Sequence, residues 1–303
     1  MRLGTRESPL AMAQAYETRR RLCDAHGWAE GQVELVPVRA SGDKIQDRPL
    51  AEIGGKALWT KELDQWLGEG RIDAAVHSLK DVETIRPDVF TMAAILPRAD
   101  KRDVLIGAES IAAIPAGSKV GTSAPRRASQ LLNQRPDLEV VMFRGNVATR
   151  LGKLEAGEAD ATFLAAAGLE RLGEQGIGTP LDYGDWIPAA SQGAIGIECA
   201  VGNKAAVAAV AAIDHAPSRA EVLAERALLE ALGGTCHSPV AVLCEADRDS
   251  LSMRAALFSP DGVERVDGEV RFAFDDRDAP KMLAARLLAN AGPGTRPHFG
   301  GAK

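Results

Sequence analysis

Short apolar runs alternate with amphipathic helical patterns over roughly the N-terminal two thirds of the chain, and no other feature limits the fold as much. The strand candidates are VELVPVR (33–39), DAAVHSL (73–79), FTMAAIL (90–96), KVGT (119–122), EVVMFR (139–144) and DATFLA (160–165). Helical patterns lie around them at 8–25, 57–69, 125–134, 146–156 and 167–173. Alternation of this kind predicts an α/β fold with mostly parallel sheets.

Two stretches echo one another. GTRESPLA (4–11) and GTSAPRRA (121–128) each read as a strand, Gly-Thr, a hydroxyl residue, proline and a helix. Ser8 before Pro9 is an N-cap with proline at the first helical position, and Ser123 before Pro125 is a looser version of that signal. The two lie about one domain length apart, which fits duplication of a domain type. LPRADKRD (96–103) and IPAASQGAIGIE (187–198) read as short crossings between two lobes. The expected organisation is two similar parallel-type α/β lobes, like periplasmic binding proteins, around a cleft. Residues 1–97 and 194–213 form the first and 100–188 the second.

After DHAPSRAE (214–221) the texture changes to a small α+β domain, expected over 217–303. Ser218 and Glu221 read as a capping box. The helix after them carries a stripe of Ala224, Leu228, Ala231 and Leu232, with Gly233 past its end. Strand-like pieces follow around AVLCEA, MRAALF and VRFAF, with SPDG (259–262) as a turn and a last helix near 280–290.

The chain has 303 residues, enough for two or three domains at roughly 100–200 residues each. No apolar run approaches the roughly 18–20 residues that cross a bilayer. The N-terminus has no signal-peptide core, so a soluble cytoplasmic protein with reduced thiols is expected. The four cysteines, Cys23, Cys199, Cys236 and Cys244, show no CxxC spacing, and no metal site is expected. Cys23 and Cys199 lie in apolar surroundings and read as core. Cys236 differs: it sits in the glycine-rich LGGTCHSPV (232–240), just past a helix.

Net charge is −6, which disfavours nucleic acid. Basic residues nevertheless bunch locally, as Arg126 with Arg127, Arg144 with Arg150, and Lys56 with Lys61. Such pockets in an acidic protein suit a small anion. Arginine in the first turn of a helix is misplaced against the helix dipole by a few tenths of a kcal/mol. Arg126 and Arg127 stand there anyway, and an anion at that helix end would meet backbone N–H groups and two guanidiniums together. Arg6, Arg144 and Arg150 also fall at strand–helix junctions, where α/β proteins bind ligands. Lys80 and Asp81 fall at the carboxyl end of the strand at 73–79. An aspartate there can face a cationic transition state, with Lys80 taking a substrate carboxylate.

Eight motifs then line up in order: GTRESPLA, GGKALWTKELD, HSLKDV, GTSAPRRASQL, RGNVATRLGKL, AAAGLERLG, SQGAIGIE and GGTCHSPV. Together they resemble the porphobilinogen deaminase (hydroxymethylbilane synthase) family over essentially the whole chain. The resemblance implies a cytoplasmic monomeric transferase of tetrapyrrole (haem) biosynthesis. It would deaminate four porphobilinogen molecules and join them head to tail, with no nucleic-acid or membrane partner. It implies a covalent dipyrromethane cofactor, one per chain, held through a thioether to Cys236. Deamination of an aminomethylpyrrole gives a soft azafulvene electrophile, for which a thiolate is the natural nucleophile.

Carried over residue by residue, the resemblance makes Asp81 catalytic and gives cofactor contacts to Lys80, Asp81, Thr122, Ser123, Arg126, Arg127 and Arg150. It gives substrate contacts to Arg6, Ser8, Lys56, Trp59, Ser78, Arg144, Arg150, Arg171 and Gln192. The chain departs from the family pattern at Glu52, where lysine is frequent, at Trp59 in place of phenylalanine, and at Ala124–Pro125 in place of Ser–Leu. SGDKIQDRPLAEIGG (41–55) looks like the family's mobile loop. Two rival functions are a two-lobed small-anion-binding protein without catalysis and a Schiff-base enzyme using Lys80. The adjacent Asp81 opposes the second, because it favours the charged lysine.

Overall fold

The computed structural model describes residues 1–38, 60–174, 176–235 and 238–300. The chain divides into two compact units, Met1–Ala99 with Gly193–Arg219, and Asp100–Gln192 with Ala220–Lys303.

The first unit is a five-stranded sheet in the order β2-β1-β3-β10-β4. Its strands are β1 (Arg2–Arg6), β2 (Glu34–Val38), β3 (Ala74–Ser78), β4 (Phe90–Ile95) and β10 (Ile195–Ala200). β1 runs parallel to β2 and β3, and β10 runs antiparallel to β3 and β4. Side chains alternate across a strand, so the sheet is apolar on both faces. Ala74, Val76, Leu3, Ile197 and Leu22 of α1 (Pro9–His26) form one core. Ala75, Val38 and Ile72 with Leu63 and Leu67 of α2 (Lys61–Gly68) form the other. The expected cap is present: Ser8 accepts from the Ala11 N–H at 3.4 Å, with Pro9 opening the helix.

The second unit contains a sheet of the same plan, β7-β6-β8-β5-β9. Its strands are β5 (Asp103–Ile106), β6 (Lys119–Gly121), β7 (Glu139–Val141), β8 (Ala161–Ala165) and β9 (Thr179–Pro180). Again the first two pairings are parallel and the last two antiparallel. β6 leads into α3 (Pro125–Gln134) as β1 leads into α1, so the two Gly-Thr motifs occupy equivalent positions. The glycines are needed for one reason in both. A Cβ on Gly4 would lie 2.3 Å from Ile72 Cδ1, and one on Gly121 2.4 Å from the Phe143 ring. Gly121→Ala is therefore expected to destabilise by roughly 1–3 kcal/mol through overpacking. Gly152→Ala, at an open position inside α4 (Val147–Glu155), should stabilise by up to about 1 kcal/mol. Thermal melts of the two variants check these opposite signs.

Three expectations need correction. Each sheet is half antiparallel, because β5 and β10 lie partly in the segments read as crossings; their apolar runs are short and flanked by charge, proline or glycine. Ser123 does not cap α3: Ala124 holds the cap position without a side-chain bond, and its N–H donates to Thr122 Oγ1 at 3.2 Å. The box at Ser218 and Glu221 also fails, because α7 (Ala216–Ala231) begins two residues before Ser218. His215 Nδ1 accepts the Ser218 N–H at 3.3 Å, while Glu221 pairs with Lys101 at 2.8 Å. An Ala-Pro start is tolerated because proline needs no N–H bond in the first turn.

The third sheet belongs to the second unit. β11 (Val240–Asp247), β12 (Ser250–Phe258) and β13 (Arg265–Ala273) are antiparallel. α7 and α8 (Ala279–Asn290) cover one face, burying Leu228, Leu232, Val242, Met253, Leu283 and Leu287. Gly233, at φ +63, turns the chain out of α7, with its N–H bonded to Glu230 O at 2.9 Å. The SPDG turn closes through the Gly262 N–H to Ser259 O, 2.9 Å.

Candidate active site

In the first unit, the candidate residues gather at the carboxyl ends of the adjacent parallel strands β1 and β3. Arg6 ends β1 and Ser8 caps α1. Ser78 ends β3 and exchanges hydrogen bonds with Gln14 of α1, at 2.7 and 3.0 Å. Lys80 and Asp81 follow in a single 3-10 turn, Leu79–Asp81. That turn is fastened from both sides. Leu79 is 1% exposed and donates its N–H to Ala194 O at 3.1 Å, and Val82 is buried. Lys80 and Asp81 are half-buried. Lys56, Trp59, Glu52 and the 41–55 loop lie outside the described residues.

Behind β3 lies a buried ionic network that sequence reasoning missed. Arg86 bonds Glu198 of β10 at 2.9 and 2.7 Å and Glu83 at 2.9 Å, and it also pairs with Asp64 of α2. His77 Nε2 stands 3.4 Å from Glu198. Burial pushes the Glu198 carboxyl up, but His77 and Arg86 outweigh it and hold its pKa at about 2. The network ties the segment after Asp81 to the sheet. Its members are spread over three elements and the segment after Asp81, so no local motif announces it.

In the second unit, Thr122 and Ser123 follow β6, and Arg126 and Arg127 lie in the first turn of α3. Both arginines are 5% exposed. They converge on Asp103, the first residue of β5, which is fully buried. Arg126 Nη2 donates to Asp103 Oδ2 at 2.7 Å, and Arg127 Nη2 to Oδ1 at 2.6 Å. Their Nη1 groups donate to Ile187 O and Phe163 O, both at 2.9 Å. Gln192, expected as a ligand contact, donates to Asp103 Oδ1 at 2.9 Å and Lys101 O at 2.7 Å. Burial alone would raise the Asp103 pKa; the two guanidiniums reverse this and hold it well below the usual carboxylate range. Burial also lowers the Arg126 pKa from its ordinary value, against the pull of Asp103. Sequence reasoning found the arginines from their conflict with the helix dipole. It missed Asp103 and Trp186, whose Nε1–H donates to Asp103 at 2.8 Å.

The remaining cations are dispersed. Arg144 is buried just past β7, and Arg150 turns back so that its Nε donates to Gly145 O at 3.1 Å. Arg171 lies in the last turn of α5 (Ala166–Leu172), where the helix dipole favours it. The residues flanking Cys236 and His237 are joined: Thr235 N–H donates to Ser238 Oγ and Ser238 N–H to Thr235 O, each at 3.0 Å. Cys236 and His237 lie outside the described residues. Cys23, Cys199 and Cys244 are buried free thiols, and burial pushes Cys199 up to about 12.

One observation tests whether the second unit suits an acidic ligand. The Nε–H groups of Arg126 and Arg127 are buried without an acceptor. Two guanidiniums also share a single carboxylate, which leaves one net positive charge in a buried place. Such a donor set fits a carboxylate-bearing group.

Mixed α/β sheets with cations at the carboxyl ends of parallel strands are features of a protein that handles small acidic molecules. The chain belongs to the porphobilinogen deaminase family. The model described as "Porphobilinogen deaminase, dipyromethane cofactor binding domain" matches residues 1–208, and the family's C-terminal domain matches 219–289. A porphobilinogen deaminase of Sphingopyxis alaskensis is 55% identical over 99% of this chain and 96% of that protein. A chloroplastic porphobilinogen deaminase of Oryza sativa subsp. japonica is 46% identical over 97% of this chain and 85% of that protein. Among solved structures, the ligand-binding component of an ABC-type import system from Staphylococcus aureus covers 75% of this chain and 72% of its own. It is 13% identical, with a TM-score of 0.40. The expected family is thus borne out, and with it the dipyrromethane cofactor and the enzyme reading over the binding-protein alternative. Among the described residues, no helix is long and apolar enough to cross a membrane.

Proposed function

We infer that this protein is a hydroxymethylbilane synthase, a transferase of tetrapyrrole biosynthesis. It deaminates four porphobilinogen molecules and joins them head to tail on a dipyrromethane primer, releasing ammonia. The observation that carries this is the family match along residues 1–208 and 219–289. When bound, the dipyrromethane supplies the free pyrrole carbon from which the chain grows.

The chain's own residues bind, orient and stabilise charge. Arg126 and Arg127 hold cofactor carboxylates through the donors left over from Asp103, aided by Lys80, Thr122, Ser123 and Arg150. Arg6, Lys56, Arg144, Arg150 and Arg171 bind the acidic side chains of porphobilinogen, with Ser8, Trp59, Ser78 and Gln192 as further contacts. Asp81 accepts pyrrole N–H groups and stabilises the positive charge that develops on the substrate as its amino group leaves. Cys236 is the attachment point, through a thioether. Burial of the other three thiols supports it, since a core cysteine takes no adduct without opening the core. The enzyme acts as a cytoplasmic monomer. Its charge of −6 disfavours nucleic acid and anionic membrane surfaces.

Intact mass tests this reading directly. The purified protein should exceed its sequence mass by one dipyrromethane. Arg6→Ala should keep that increment while steady-state turnover falls roughly tenfold or more, the worth of one charge-assisted contact. Arg127→Ala should accumulate mainly at sequence mass. A fully loaded and active Arg127→Ala variant would remove Arg127 from the site.

A further inference from the structure

We propose that Asp103 is a positioning residue for the acidic ligand, required for its binding although it carries the same charge. The proposal rests on the cofactor reading above. Electrostatics alone points the other way, because a carboxylate beside an anion site weakens the field that attracts the anion. The geometry shows what outweighs this. Both Asp103 oxygens are fully engaged, Oδ2 by Arg126 and Trp186 and Oδ1 by Arg127 and Gln192, at 2.6–2.9 Å. A carboxylate with four donors neither turns nor shifts, so it is a fixed point inside the unit. Trp186 is itself locked, stacked on Phe163 with ring centroids 4.8 Å apart.

Each guanidinium is therefore gripped at two nitrogens, one against Asp103 and one against a main-chain carbonyl, which fixes the direction of its Nε–H. Those two Nε–H groups are the ones without an acceptor. Without Asp103, two buried like charges in consecutive residues would repel, and long arginine side chains would leave the interior for water. The net positive charge would rise while the donor geometry was lost. A carboxylate ligand needs the geometry, since paired N–H donors act only when held in register.

The test compares variants that separate charge from position, reading the fraction of folded protein that carries the dipyrromethane mass. Asp103→Asn should fold, with the Trp186 near-ultraviolet signal retained, and show occupancy lower by roughly tenfold or more. Trp186→Phe keeps the charge and removes one neutral donor, so its occupancy should stay within about threefold of wild type. Wild-type occupancy in folded Asp103→Asn would overturn the proposal, as would an equal loss in Trp186→Phe, which would make the effect one of packing. Should Asp103→Asn fail to fold, Asp103→Glu keeps the charge of the cluster and displaces the carboxylate that holds the two arginines. It should fold with low occupancy; full loading, or failure to fold, would sink the idea. Absence of the mass increment from the wild-type protein would instead count against the cofactor reading itself.

Discussion

Cys236→Ser should purify at its sequence mass, with no dipyrromethane increment, and turn over at background. A serine hydroxyl is protonated at neutral pH and is a far weaker nucleophile than a thiolate toward the electrophile that a deaminated aminomethylpyrrole presents. The loss should not come from misfolding. The chain enters the loop through Gly234, whose N–H bonds Leu229 O at 2.8 Å, and Thr235 and Ser238 close on each other beyond it. None of these contacts involves the substituted side chain. Cys23→Ala and Cys199→Ala should keep both increment and activity, within the stability cost of two core positions. Peptide mapping decides the assignment. An adduct found on Cys244, a fully buried residue of β11, would refute it.

Where sequence reasoning succeeded, chemistry and local structure coincide. Ser8-Pro9 announces α1 because a cap is a contact between neighbours in sequence. Lys80 and Asp81 fall where the strand pattern at 73–79 ends, and a strand end is legible from periodicity alone. Arg126 and Arg127 stood out because they break the helix-dipole rule. What was not legible is what answers them. Asp103 meets the arginines from β5, Trp186 and Gln192 bond Asp103 from farther along the chain, and Asp103 sat in a stretch that reads as a charged linker. Glu198 and Arg86 were hidden in the same way. The strand carrying Glu198 looks like a return crossing until it is seen to pair with β3 and β4. The family motifs marked Gln192 as a ligand contact, but its amide bonds to Asp103 and Lys101 O could not be read from them. Spacing along the chain finds residues at strand ends; it does not find the partners a folded sheet supplies from the next strand.

Asp81→Asn should yield folded, loaded protein whose turnover is lower by roughly a hundred- to a thousandfold or more, the usual worth of a preorganised electrostatic contact. The reaction develops positive charge on a pyrrole as ammonia leaves and loses it as the next carbon–carbon bond forms. A fixed carboxylate stabilises that charge as no neutral group can. Asparagine preserves the shape and one acceptor oxygen, so orientation of the pyrrole N–H groups should largely survive. The fold around the turn should survive as well. Leu79 and Val82 anchor it in the core, and Arg86 fastens the following segment to Glu198, all independently of the Asp81 side chain. Asp81→Glu retains the charge at a shifted position and should keep a measurable part of the rate. The measurement is steady-state turnover of both variants at equal dipyrromethane occupancy. This separates loss of chemistry from loss of cofactor, since Asp81 is also proposed to contact the cofactor. If the two variants turned over alike and near the wild-type rate, charge at this position would not drive the reaction, and the catalytic carboxylate would have to be sought elsewhere in the chain.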